Sequence, residues 1–273
     1  MEGQTLPANF DSMNRTMMKN IFGPILMCAL LAFSAGAQAS FQDAMKAYMK
    51  GDFAGAMRGF RAGAEKGDAA SQYWIGWMYN EGEGVPRDYA AAMSWFTKAA
   101  DRGHVESLSA IAEMYDKGHG VPQNYEQARS WYKKASDRGS ALAQYRLGMM
   151  CVFGLGGARD EKQAVSWFTK AATNGSVEAM YRLGKAYRLG NGIEQDYKLA
   201  VNWYFNAVQL GSAEAQQDLA EMFKRRLGGE ELYKEVEAWY LKLAEQERRE
   251  AELQAQQNDQ ASQPAAAMPA PGQ

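Results

Sequence analysis

Histidine and cysteine are nearly missing from this chain of 273 residues, which holds two of each. His104 and His119 stand apart from any cysteine or carboxylate cluster at metal-ligand spacing, so no metal site is expected. Cys28 lies in a leader described below, which leaves Cys151 alone and excludes an internal disulfide in the mature chain. Basic runs are absent and the formal net charge is −2, so nucleic acid is not an expected partner. The Gly-x-Gly stretches follow no strand and lack the Lys-Ser/Thr of a phosphate loop, so they are turns and no cofactor is expected. The long apolar run, Ile21 to Gly36, is shorter than about 18 residues and is broken by Gly23, Pro24 and Ser34. No membrane span is therefore expected in the mature chain.

That run has another reading. Lys19 precedes it and Ala37-Gln38-Ala39 closes it, the order of a secretory signal peptide cut before Ser40. Glu2 and Asp11 are foreign to such a leader, so translation is expected to start at Met13, Met17 or Met18. Ile25-Leu26-Met27 before Cys28 is a poor lipidation signal. The expected location is the periplasm, with secretion or a lipid anchor as lesser alternatives. An exported chain without disulfides must fold on its apolar core alone.

What is present is a repeat. Trp95, Trp131, Trp167, Trp203 and Trp239 fall 36 residues apart. Gly67, Gly103, Gly139, Gly175 and Gly211 keep the same step, as do Phe60, Phe96, Tyr132, Phe168, Tyr204 and Tyr240. A fixed period of this length means stacked supersecondary units.

Each unit reads as two helices. In residues 68–103 the first helix is expected over Ala69 to Glu81, with Ser71, Ile75, Met78 and Tyr79 on its core face. The positions of Ser71 and Gly76 stay small in every repeat, which lets neighbouring helices approach. Gly82 and Gly84 stop the first helix. Asp88 is the expected N-cap of the second, repeated by Asn124, Asp160 and Asp196. Gln163, three residues after Asp160, suggests a capping box. The second helix presents Ala92, Trp95, Phe96, Ala99 and Ala100. The five tryptophans are expected in the structural core, where truncating Trp131 or Trp167 to Ala would cost about 3–5 kcal/mol. Cys151 takes the register of Tyr79, Tyr115 and Tyr187 and is expected as a buried core residue rather than a nucleophile.

The expected organisation is a leader over 1–39, a degenerate helix pair over 40–67, five repeats over 68–246, and a tail over 247–273. The degenerate pair turns at Lys50-Gly51-Asp52. The fifth repeat carries Arg226 where a loop glycine is expected. The tail extends the helix, then becomes Gln-, Ala- and Pro-rich and is expected to be disordered.

Gly118-His119-Gly120-Val121-Pro122-Gln123-Asn124-Tyr125 and Asn191-Gly192-Ile193-Glu194-Gln195-Asp196-Tyr197, each followed by Ala, Trp and an aromatic in register, resemble the Sel1-like repeat. The resemblance covers Asp68 to about Gln246. It implies an all-α, right-handed α-solenoid of stacked antiparallel helix pairs, similar to tetratricopeptide arrays. It identifies a scaffold rather than an activity.

By the same resemblance the first helix of each pair lines a concave face, and its variable positions are the binding candidates. They are Tyr73, Trp77, Tyr145, Met149, Tyr181, Lys185 and Arg188, an aromatic wall with a basic half to which Arg146 and Arg182 add. Aromatic residues bury large area with few rotors, which suits capture of a protein or peptide. The alternative is that these aromatics only pack adjacent helices. The expected function is a non-catalytic interaction scaffold or adaptor of the bacterial envelope. A cell-wall or β-lactam hydrolase and a secreted effector binding a host protein are the alternatives. Ser130-Trp131-Tyr132-Lys133 fits S-x-x-K, but the same slots read Ser94-Trp95-Phe96-Thr97 and Ser166-Trp167-Phe168-Thr169, and no S-D-N or K-T-G follows. The match is a coincidence of the repeat, and no catalytic residue is assigned.

Overall fold

The computed structural model describes residues 35–234, with 237–238, 245, 248–249 and 252–255. Residues 1–34 of the expected leader, Cys28 among them, Trp239 and most of the tail lie outside the described residues. Among the described residues these helices follow one another: α1 (Ala35–Met49), α2 (Phe53–Glu65), α3 (Ala69–Glu81), α4 (Tyr89–Asp101), α5 (Val105–Lys117), α6 (Tyr125–Ser136), α7 (Ala141–Phe153), α8 (Glu161–Thr173), α9 (Val177–Leu189), α10 (Tyr197–Gln209) and α11 (Ala213–Arg225). Among the described residues there is no strand. From α1 to α10 each helix packs first on its hairpin partner, α3 on α4 and α5 on α6, and then on its neighbour in the next hairpin, α4 on α5 and α6 on α7. This is an α-solenoid.

The chain divides into two compact units, residues 1–217 and 218–273. In the first, local chemistry sets every boundary. Asp88, Asn124, Asp160 and Asp196 accept from the backbone N–H three residues on and start α4, α6, α8 and α10. Asp68, Ser140 and Ser176 do the same for α3, α7 and α9. Left-handed glycines at 82, 118, 154 and 190 end the first helices.

One capping expectation is corrected. Gln163 does not reach back to Asp160. The Asp160 N–H already donates to the Cys151 carbonyl at 2.9 Å, and Asp88, Asn124 and Asp196 repeat that bond to Tyr79, Tyr115 and Tyr187. With its usual partner taken, Gln163 Oε1 accepts from Arg129 Nη2 at 2.5 Å and from Cys151 Sγ at 3.0 Å. Cys151 is buried as expected, and burial pushes its thiol pKa up, against the pull of Arg129.

The core holds an aromatic at one register of each repeat. Phe60, Phe96, Tyr132, Phe168 and Tyr204 are all buried. Three of them seat on their own first helix at the small position: a Cβ on Gly76, Gly148 or Gly184 would stand 2.7, 2.5 and 2.5 Å from the ring of Phe96, Phe168 and Tyr204. The tryptophans expected in the core are corrected in degree. Trp95, Trp131, Trp167 and Trp203 are half-buried. One residue along a helix is about 100° of rotation, so only one of two adjacent aromatics can enter the notch. The other lies at the core's edge, where Lys98, Lys134 and Lys170 sit over Trp95, Trp131 and Trp167 at 4.2, 3.7 and 4.5 Å.

Tyrosine in this column raises an accounting question. The Tyr204 hydroxyl accepts from Arg188 Nε at 3.2 Å. At the register of Arg188 the second repeat has Asp116, and the buried Tyr132 hydroxyl finds no partner among the described residues. Tyr132→Phe should therefore be neutral or stabilise by up to about 1–2 kcal/mol, because it removes an unpaired buried hydroxyl. Tyr204→Phe should destabilise by about 1 kcal/mol. Urea midpoints of the two variants check this.

The second unit is organised by Tyr233, which is fully buried. Its hydroxyl donates to the carbonyls of Met222, at 2.9 Å, and Leu227, and its ring meets Phe223 edge-on at 4.7 Å. Arg226 adopts the positive φ of 50° that glycine supplies in the other repeats.

Candidate functional site

The candidate residues lie on the first helices, α3, α7 and α9, and all seven are half-buried. The structure assigns them two kinds of work. Tyr73, Tyr145 and Tyr181 pack on the core aromatics of their own repeats, Phe96, Phe168 and Tyr204, with ring centroids 5.6, 6.0 and 5.8 Å apart. They are packing residues that keep one edge at the surface. Arg188 is engaged with the Tyr204 hydroxyl. Trp77, Met149 and Lys185 stand outside the core column. Lys185 and Arg182 flank Tyr181, each about 6 Å from its ring.

Charge divides this face. The first helices of repeats one and two carry Glu81, Glu106, Glu113 and Asp116, while those of repeats three and four carry Arg146, Arg182, Lys185 and Arg188. Burial pushes the Tyr73 hydroxyl pKa up to about 12, with Glu106 and Glu113 adding to it. Burial likewise raises the Asp116 carboxyl, against the pull of Arg146. At the ends of α7 and α9 two apolar residues are left in the open, Phe153 at 64% and Leu189 at 47% exposure.

Within the acidic half lies a cleft of about 320 Å³ between repeats one and two. Trp77, Phe96 and Met114 give it apolar walls, and Glu81 and Glu113 line it as well. Tyr89 at the start of α4 and the loop residue His119 close one side, stacked at 4.6 Å with 19° between their planes. Nothing in the candidate set pointed to the residue that opens it, Ala110. Its register holds Trp74, Arg146, Arg182 and Asp218 in the other repeats. Only the second repeat has alanine there, preceded by Ser109 where three others have tyrosine. Aligning the repeats on that column would have found it.

His104, the N-cap residue of α5, makes the joint beside this cleft. Its ring lies 4.9 Å from that of Tyr73, its Nδ1 is 3.0 Å from Ser107 Oγ, and Nε2 is 3.4 Å from Glu106. Burial lowers its pKa, against the opposing charges of Glu106 and Asp68. A folded pKa below the unfolded one stabilises fully above the unfolded value of about 6.5 and loses that contribution as pH falls through the folded value. Between pH 7 and pH 5 the chain should therefore lose more thermal stability than His104→Asn, whose cap cannot be protonated. Melting curves at the two pH values test it.

Ser130 is exposed on α6, and Lys133 pairs with Asp137 at 3.4 Å. Among the described residues no three histidine, cysteine or carboxylate side chains could hold a metal, and no helix is long and apolar enough to cross a membrane.

The profile of the Sel1 repeat matches residues 69–104, 105–140, 141–176 and 177–212, more than half of the chain. No curated protein matched. Among solved structures, a Sel1 repeat protein from Oxalobacter formigenes is 29% identical over 70% of this chain and 78% of its own, with a TM-score of 0.63. A protective antigen of uropathogenic Escherichia coli with an SLR fold is 31% identical over 77% of this chain, with a TM-score of 0.66. The match spans 46% of that antigen's length. An immunity protein from Pseudomonas aeruginosa shares the fold at 21% identity, over 79% of this chain and 84% of its own, with a TM-score of 0.51.

Proposed function

The chain belongs to the Sel1 repeat family, whose members are generally protein-interaction scaffolds and typically non-catalytic, and from that premise we propose that it is an envelope adaptor. It is exported to the periplasm by its leader and docks a protein or peptide on the face formed by the first helices. The observation that carries this reading is the contrast between columns of that face. Core and turn positions repeat every 36 residues, while the half-buried positions of Trp77, Met149 and Lys185 change identity from repeat to repeat. Stacking needs the first set alone; the second set is what individual recognition would use.

The test uses those positions, because the tyrosines also pack the core. Affinity capture from the envelope fraction of producing cells is compared for the chain and for Trp77→Ala/Met149→Ala/Lys185→Ala. A partner retained by the chain and lost by the variant, with unchanged circular dichroism, is the expected outcome. Equal retention would move docking to another surface. Recovery of the processed chain beginning at Ser40 from the periplasm is expected alongside.

A further inference from the structure

We propose that the cleft between repeats one and two receives a cationic side chain, arginine above all, from the docked partner. The inference rests on the adaptor reading only in taking the side chain from a partner. The chain itself shows how an arginine fits such a position. In the third repeat Arg146 reaches back to Glu113 of the second, with Nη2 3.9 Å from Oε1. Those two positions correspond, one repeat earlier, to Ala110 and Trp77. Where Arg146 extends over Glu113, Ala110 extends over nothing, and Trp77 lines the space left behind.

The walls suit the missing group. An indole face is the best aromatic partner for a guanidinium, and Trp77 is joined by Phe96 with Glu81 and Glu113 beside them. The charged groups lining the cleft have neighbours, and the Glu81 carboxylate accepts from the neutral Asn80 amide at 2.6 Å. Lys117 pairs with Glu113, and Arg87 donates to the Glu81 carbonyl at 3.2 Å. Burial raises the Tyr73 pKa, and Glu106, Glu113 and Glu81 add to it from this end of the face. At about 320 Å³ the space lies at the small end of ligand pockets, with room for one long side chain. The partner is thus a segment that presents arginine or lysine toward repeats one and two.

The probe is Nα-acetyl-arginine amide, with the leucine and glutamate analogues as controls, titrated into the full chain labelled with ¹⁵N. The Trp77 indole N–H resonance, assigned with Trp77→Phe, is followed. It should shift saturably with the arginine probe and at least about fivefold more weakly, if at all, with the controls. Ala110→Arg, which supplies in the second repeat the residue of the third, should keep its circular dichroism and lose the response. Glu113→Gln should weaken the arginine response several-fold, and it reads the site even if Ala110→Arg folds poorly. No shift, an equal shift with the leucine probe, or an undiminished response in a folded Ala110→Arg overturns the inference. The two readings separate in the capture experiment. A partner still retained by folded Ala110→Arg overturns the arginine site and leaves the adaptor standing, whereas a saturable Trp77 response with no partner captured supports the cleft and counts against the adaptor.

Discussion

Replacing Gly156 with alanine should cost the chain about 2–4 kcal/mol, whereas the same replacement at Gly139 should cost about 1 kcal/mol. Both glycines have positive φ, 64° and 87°. Strain in the left-handed region is common to both and sets the smaller figure. What differs is the space. A Cβ on Gly139 meets nothing within 4 Å, while one on Gly156 would stand 2.5 Å from the Tyr125 carbonyl oxygen and 2.9 Å from the Glu126 nitrogen. Those atoms belong to the first turn of α6, the second helix of the preceding repeat. The loop of each repeat is thus pressed on its predecessor. Gly120 meets Tyr89 in the same way, and Gly192 meets Glu161. A backbone contact cannot yield as a flexible side chain can, so the larger penalty falls on the joint between repeats. In an array whose stability is the sum of units and interfaces, weakening one joint should also broaden the transition. Urea unfolding of the two variants measures both effects, and equal midpoints would show that backbone strain alone matters.

Phe168→Ala should destabilise by about 3–5 kcal/mol, the cost of a large cavity in a closed core. Trp167→Ala, though it removes the larger side chain, should cost only about 2 kcal/mol, because its ring is partly open to solvent and its loss leaves no closed cavity. Phe168 fills the notch above Gly148 and touches Tyr145, so its removal strips contacts from two helices. Trp167 keeps one side open under Lys170. The melting temperatures of the two variants should order accordingly. The reverse order would place the tryptophan in the core and the phenylalanine at its edge.

That ordering shows where the sequence was legible and where it was not. The helix ends were, because each is marked by a residue with its own local chemistry: Asp88 and Asn124 cap nitrogens three residues on, and Gly118 and Gly154 take the left-handed turn. Such signals need no knowledge of the neighbours. The choice between two adjacent aromatics was not legible. Trp167 and Phe168 both suit a core, and only the notch on the facing helix decides between them. Gln163 misled for a related reason, since its expected partner was taken by Cys151 across the hairpin. The candidate residues do lie on the first helices, but the packing of Tyr73, Tyr145 and Tyr181 on their core rings depends on tertiary distances. The cleft was hidden differently. It comes from the shortness of Ala110 and Ser109, and a search for conspicuous side chains passes over an absence.

The central claim is that the first-helix face, and not the outer ladder of tryptophans and lysines, meets the partner. Photo-crosslinking tests it most directly. A photoreactive phenylalanine analogue is placed at Lys185 on α9 in one variant and at Lys170 on α8 in another, and each full chain is irradiated in producing cells. The account predicts a discrete adduct from position 185 and none from position 170. Adducts from position 170 with none from position 185 would contradict it and put the working surface on the second helices.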